Sequence, residues 1–275
     1  MLKQRVITAL VLLGLLVGAL WLGRVAFVAA IAILFGAALF EWWRLAGMRP
    51  APGIALAVAV VGGLVLLEVS GRTPVGPVLT LICAGAAAVW LTLLAVLVRA
   101  QQQSVHIGAR ATAALGLAVL PAAWLALLYL HGRGVMVMLS VLAIVWIADI
   151  SAYFAGRAFG RRKLASNISP GKTWAGVGGA IVGVLVVATA AHLAWPAAPL
   201  LSNAFFRHSL FIAWLLLAAL VAFSIVGDLF ESLLKRRAGV KDSGGLLPGH
   251  GGVLDRIDAL LPVLPIAVLL ERWIR

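Results

Sequence analysis

Nine stretches of 16 to 24 residues with almost no charge dominate this chain, and each approaches the length needed to cross a bilayer. They cover residues 7–22, 25–42, 53–69, 75–98, 112–130, 135–155, 173–195, 209–229 and 253–270. Lipid offers the backbone no water to bond, so a spanning segment must be a helix or part of a closed barrel, and runs this long exceed barrel strands. The expected fold is therefore all-α, a polytopic integral membrane helix bundle of about nine transmembrane helices. Residues 1–275 are expected to form a single transmembrane domain. Residues 1–134 supply its N-terminal helices, and residues 135–275 its catalytic helices and cytoplasmic loops.

Composition excludes the alternatives. Of 275 residues, 64% are hydrophobic and 11% charged, against about 25% charged in soluble domains. Disordered chains are polar and charge-rich, which this one is not. The 29 glycines show no triplet period, and Cys83, the one cysteine, cannot form an internal disulfide. The first apolar run has the length of a secretory signal, but further spans follow at once, so it reads as a retained helix.

The charge balance orients the bundle. There are 22 Lys and Arg against nine Asp and Glu, a formal net charge of +13. With nine spans and a cytoplasmic N-terminus, 16 basic residues fall in inner segments and six in outer ones, the asymmetry expected of cytoplasmic loops. The same topology places loops 156–172 and 232–252 on the cytoplasmic face. Membrane lipids are natural partners for this excess; nucleic acid is not, because no sizeable soluble basic domain exists.

Five of the nine acids lie between Asp228 and Asp258. An ionised carboxylate at the bilayer centre costs at least ~2.5–3.5 kcal/mol, so acids in so apolar a chain need a reason. Asp149 and Asp228 sit near the cytoplasmic ends of the sixth and eighth runs, and Asp255 and Asp258 open the ninth from the same side. The three-residue spacing of Asp255 and Asp258 lets both face one way on a helix, and Asp228 and Glu231 repeat it. A salt bridge explains any one acid as well as function does. Four acids at one depth instead suit Mg²⁺, which takes hard oxygen ligands and leaves other positions to water and phosphate. Beside basic loops they point to metal-assisted phosphate chemistry.

The loop from Lys241 to Gly252 has five glycines in its last nine residues, interleaved with Lys241, Asp242 and His250. Such a loop lets backbone N–H groups approach an anion, and it opens into a helix start. A second segment, Ser169-Pro170-Gly171-Lys172-Thr173, superficially suggests a P-loop. Ser166 stands where that motif needs glycine, and no strand is expected before it, so a nucleotide-hydrolase reading is rejected. Lys172 remains a candidate phosphate ligand. Arg161, Arg162 and Lys163 read as topological or lipid-head contacts, and Gly176, Gly179 and Gly183 as close helix packing.

Across residues 232–258, Ser232-Leu233-Leu234-Lys235-Arg236, Lys241-Asp242 and the run from Leu247-Pro248-Gly249-His250 to Val253-Leu254-Asp255-Arg256-Ile257-Asp258 resemble the signature of phosphatidate cytidylyltransferases, also called CDP-diacylglycerol synthases. Asp149 with Tyr153, Gly156, Arg157 and Gly160, the segment Ser169 to Trp174 with Gly176, and Gly227 to Ser232 are similar to the same family. Ala175 departs from the acidic residue or glutamine of many relatives, and Glu41-Trp42-Trp43-Arg44 is a fainter likeness.

The resemblance implies the reaction CTP + phosphatidate → CDP-diacylglycerol + pyrophosphate, Mg²⁺ as cofactor, a homodimer, and a bacterial inner membrane with the active site facing the cytoplasm. The implied catalytic set is Asp228, Asp255, Asp258 and Lys241, with Asp228 and Asp255 as metal ligands. Asp149, Ser169, Lys172, Lys235, Arg236, Asp242, His250 and Arg256 form the substrate-binding set, and Arg256 either binds phosphate or pairs with a neighbouring aspartate. Two other classes compete: a CTP-dependent lipid kinase, which would transfer the γ-phosphate, and a transporter. The complete signature disfavours the first; charges at one face and the lack of a visible repeat disfavour the second.

Overall fold

A computed structural model describes residues 2–100, 105 and 107–274, and the side chains of these other than 2–6 and 9. The side chains of Lys3 and Arg5, and Arg275, which entered the charge asymmetry, lie outside the described residues. The elements in chain order are α1 (Leu2–Trp21), α2 (Arg24–Leu45), α3 (Pro50–Val69), α4 (Gly76–Ala100), α5 (Ala109–Arg133), α6 (Val135–Phe159), β1 (Lys163–Ala165), β2 (Ser169–Thr173), α7 (Trp174–Ala194), α8 (Leu201–Phe206), α9 (Leu210–Arg237), α10 (Leu254–Ile257) and α11 (Leu260–Trp273). Among the described residues, seven of them, α2 to α7 and α9, are long and apolar enough to cross a membrane. The all-α membrane bundle read from the hydropathy is the observed architecture.

Helix α1 covers the first expected run up to Trp21. The ninth expected run is interrupted. The run 253–270 breaks into α10 and a 14-residue α11, which at 1.5 Å per residue is about 21 Å long. The break has a local cause. Pro262 has no N–H to give the Asp258 carbonyl, and its ring would clash with that oxygen in a continuous helix. The hydrogen-bond ladder is therefore interrupted at Asp258 and Ala259, whose backbones keep helical angles, and resumes at Leu260, with Pro262 in the first turn of α11. Buried residues from Leu261 to Val268 make α11 a central strut, packed on α4, α5 and α9.

Other boundaries also moved. Loop 156–172 contains an antiparallel hairpin in which Lys163 pairs with Thr173 and Ala165 with Ser169. The segment from Ser169 to Thr173, expected as plain loop, is thus strand β2. Helix α9 runs two turns past its expected end, and Lys235, Arg236 and Arg237 sit in its last turn, where cations favour the dipole. Asp228, Glu231 and Lys235 therefore share one helix.

The close packing expected of the glycines is present between α6 and α7. A Cβ on Gly179 would collide with Ala155, one on Gly183 with Ser151, and one on Gly176 would come within 3.1 Å of the Ala152 carbonyl.

Polar contacts fasten both ends of the bundle. At one, Arg24 pairs with Glu68 at 2.5 Å, and Tyr129 and Arg133 donate to Glu271 at 2.8 and 3.1 Å. At the other, Thr8 donates to the Pro248 carbonyl at 2.8 Å, Arg236 to that of Ile168 at 3.4 Å, and Arg237 to that of Ile107. The start of α1, the hairpin, the end of α9 and the glycine-rich loop therefore gather at one end.

Candidate functional site

Two linked groups of charged residues occupy that end. The first borders a cavity of about 400 Å³ between α6, α7, β2 and α9. Asp149, Tyr153 and Arg157 face it from α6, Lys172 and Thr173 from β2, and Ser224 and Asp228 from α9; Ala148, Val177, Ala180 and Ile225 give it an apolar flank. Lys172 forms an ion pair with Asp228, and Ser232 donates weakly to the same carboxylate at 3.4 Å. Asp149 feels the charges of Asp228, Lys172 and Arg256. The small residues that let α6 and α7 approach thus fix Asp149 relative to Lys172. Thr173 caps α7 by accepting from the Gly176 N–H at 3.1 Å, which holds β2 against the helix start.

Asp258 lies buried beneath this group, its Oδ1 accepting from the Ala259 N–H at 2.7 Å. Burial, and after it the Asp228 charge, push its carboxyl up from the ordinary value.

The second group centres on Asp255. Its Oδ1 lies 2.5 Å from the Lys235 ammonium. Its Oδ2 accepts from the Ser243 N–H at 2.9 Å, the Ser243 hydroxyl at 2.9 Å and the Gly252 N–H at 2.8 Å. Burial opposes its charge, but the bonds from Lys235, Gly252 and Ser243 outweigh burial and hold the carboxyl below its ordinary value. Lys235 also pairs with the buried Glu231, so one ammonium joins two acids. Gly251 adopts φ +81°, and a Cβ there would come within 2.7 Å of Asp255 Oδ2, so the loop requires glycine at this position.

The structure thus places Asp149, Lys172 and Asp228 around the cavity with Asp258 below, and Lys235 with Asp255 beside them. Ser169 opens β2, and Arg236 braces the hairpin. Lys241 and Asp242 are exposed on the loop and Arg256 on α10, and His250 sits half-buried at the loop's turn. Among the described residues, no three acidic, histidine or cysteine side chains converge as a ready metal cage. Two carboxylates suffice for Mg²⁺, whose remaining positions go to water and phosphate.

Glu41, noted in the sequence only within a faint family likeness and given no role, also reaches the site. It is 1% exposed on α2, yet its carboxylate accepts from the Ser243 hydroxyl at 2.9 Å, the Val253 N–H at 3.1 Å and the Leu254 N–H at 2.8 Å. The available signal was an acid inside an apolar run, which by itself marks a position of interest.

The sequence matches known proteins along most of its length. Residues 3–273 match the model of the cytidylyltransferase family. The chain belongs to that family. It is 43% identical over 274 residues to a phosphatidate cytidylyltransferase of Pseudomonas aeruginosa, covering 97% of this chain and 95% of that protein. It is 37% identical over 274 residues to one of Brucella abortus biovar 1, covering 94% and 89% respectively. A third, from Bacillus subtilis, is 45% identical over 126 residues, covering 44% of this chain and 42% of that protein.

Proposed function

We propose that this cytidylyltransferase acts on phosphatidate, converting it and CTP to CDP-diacylglycerol and pyrophosphate. The observation that carries the reading is the cavity with Lys172, Asp228 and Asp149 at its polar side and Val177, Ala180 and Ile225 on its apolar flank, in a chain whose full-length relatives bear that name. A lipid phosphate needs such a site: the headgroup seeks cations, while the acyl chains stay in hydrocarbon.

In this reaction an oxygen of the phosphatidate phosphate forms a bond to the α-phosphorus of CTP, and the bond from that phosphorus to the bridging oxygen breaks as pyrophosphate leaves. No protein nucleophile is needed. Both reactants are anions, so the protein's task is to neutralise and align them. Lys172, Lys235, Arg236 and Lys241 would hold phosphates, with the arginine able to do so in a bidentate way. Asp258 and Asp149 would contact metal, water or nucleotide, and Ser169, Asp242 and His250 would shape the nucleotide site. Arg256 would bind phosphate or pair with a neighbouring aspartate.

The donor set fits Mg²⁺. Asp228 and Asp255 offer hard oxygens, and each already supports a cation, the Lys172 and Lys235 ammonium groups. These two aspartates would hold the metal, which would offset the negative charge of the transferring and leaving phosphates. The gathering of the basic loops at one end supports a site facing the cytoplasm from a bacterial inner membrane. Homodimer formation belongs to the same reading.

Purified protein in mild detergent, given phosphatidate, CTP and Mg²⁺, tests it through both products. CDP-diacylglycerol with pyrophosphate is the expected pair. CDP with a newly phosphorylated lipid, on offering an alcohol acceptor, would indicate a kinase. No product from folded protein would favour a transporter.

A further inference from the structure

Glu41 stands in the N-terminal half of the chain, more than 200 residues from every group that donates to it. Among the described residues no cation pairs with it. Its buried carboxylate is compensated by one hydroxyl and two backbone N–H groups, all from the segment 243–254. The dependence is mutual. Without the loop the carboxylate would be buried and uncompensated; without the carboxylate the buried Val253 and Leu254 N–H groups would lose their acceptor.

The surroundings show that the fit is tight. A Cβ on Gly244 would collide with the Glu41 carboxylate, and one on Gly252 would collide with Glu41 and with the Ser243 hydroxyl. The helix that carries Glu41 is itself held in place. The neighbouring Trp42 is fully buried, donates to the Thr112 carbonyl at 2.7 Å and packs on Phe230 of α9 with ring centroids 5.9 Å apart. Its position is thus set by α5 and α9 rather than by the loop.

Ser243 links this anchor to the site. Its hydroxyl oxygen lies 2.9 Å from Glu41 Oε2 and 2.9 Å from Asp255 Oδ2. A hydroxyl has one proton, so the two carboxylates share a single O–H donor, and moving one acceptor changes the bond to the other. We infer that Glu41 is a positioning residue of the cytidylyltransferase reaction: it fixes the glycine-rich loop from α2 and, through Ser243, sets the orientation of Asp255.

The catalytic part of this inference rests on the proposed function; the loop-fixing part does not, and the test separates them. Hydrogen exchange would be followed by mass spectrometry in wild type, Glu41→Gln, Ser243→Ala and the double variant, alongside kcat, KM for CTP and thermal unfolding. The glutamine keeps the size but turns an amide N–H₂ toward groups that donate. Exchange in Glu41→Gln should rise at least tenfold in peptides covering 242–254 and stay unchanged elsewhere. Its kcat should fall at least tenfold with KM for CTP within about threefold. Ser243→Ala, which removes only the shared hydroxyl, should lose less activity, and the double variant should be no slower than Glu41→Gln. Unchanged exchange in the loop would overturn the inference whether or not the enzyme turns over. So would faster exchange across the whole chain, which marks a general stability role, or losses that multiply in the double variant, which mean that Glu41 does not act through Ser243. If the wild type makes no CDP-diacylglycerol while loop exchange responds as expected, the proposed function fails and the anchor stands.

Discussion

Lys235 on α9 and Asp255 on α10 meet at 2.5 Å, joining the helix that carries Asp228 to the turn that follows the glycine-rich loop. The same ammonium reaches Glu231 one turn back, so a single cation organises two carboxylates. Its side chain is 13% exposed, against 6% for Asp255 and 1% for Glu231, so the pair is partly shielded from solvent while retaining access to it. In the proposed reaction this ammonium would exchange a carboxylate contact for a phosphate one.

Replacing Lys235 should therefore affect turnover first. Lys235→Ala is expected to lower kcat about 100-fold or more, the scale of removing one charge-stabilising group from a transition state. Lys235→Arg should recover part of the loss, since it restores the charge with a different donor geometry. Steady-state formation of CDP-diacylglycerol measures both. An alanine variant with more than half of wild-type kcat would remove Lys235 from the phosphate-binding set.

Asp228 offers the cleaner test of the proposed metal site, because its side chain is 34% exposed while that of Asp255 is tied to the loop by three donors and to α9 by Lys235. Asp228→Asn should cut turnover by about 1,000-fold, corresponding to roughly 4 kcal/mol of lost transition-state stabilisation. Its thermal unfolding in detergent should stay close to wild type. A chelator should abolish wild-type turnover and added Mg²⁺ restore it. Residual activity in the variant should need a higher Mg²⁺ concentration. Equal Mg²⁺ dependence in variant and wild type would take Asp228 out of the ligand set.

The packing of α6 on α7 makes a prediction about stability. Gly183 faces Ser151 with no room for a Cβ. Gly183→Leu should destabilise the fold by about 1–3 kcal/mol through overpacking. It should also widen the spacing that sets Asp149 against Lys172. Gly178, which has open space around its Cβ position, is the control, and Gly178→Ala should be close to neutral. Thermal unfolding of both variants in one detergent checks this, and equal unfolding temperatures would contradict the packing account.

These relationships were visible in the sequence to different degrees. Apolar runs near bilayer length marked all seven long helices, because hydrophobic matching acts locally and leaves a continuous trace. The glycines at 176, 179 and 183 announced a close helix contact, since small side chains at that spacing serve few other purposes. The break before α11 was encoded by Pro262 but obscured by the apolar residues around it. The hairpin at 163–173 was hidden because a two-stranded ribbon this short takes its stability from neighbours, here the Arg236 bond to Ile168. Glu41 was the least legible. Its partners lie in a segment more than 200 residues away, and neither periodicity nor spacing carries information over that distance.

The central claim is attack on the α-phosphorus of CTP, and the most direct measurement follows the phosphorus itself. CTP labelled at the α-position or at the γ-position would be supplied separately with phosphatidate, Mg²⁺ and purified protein. The account predicts that the α-label enters the lipid fraction as CDP-diacylglycerol and the γ-label leaves as pyrophosphate. Transfer of the γ-label to lipid would contradict it.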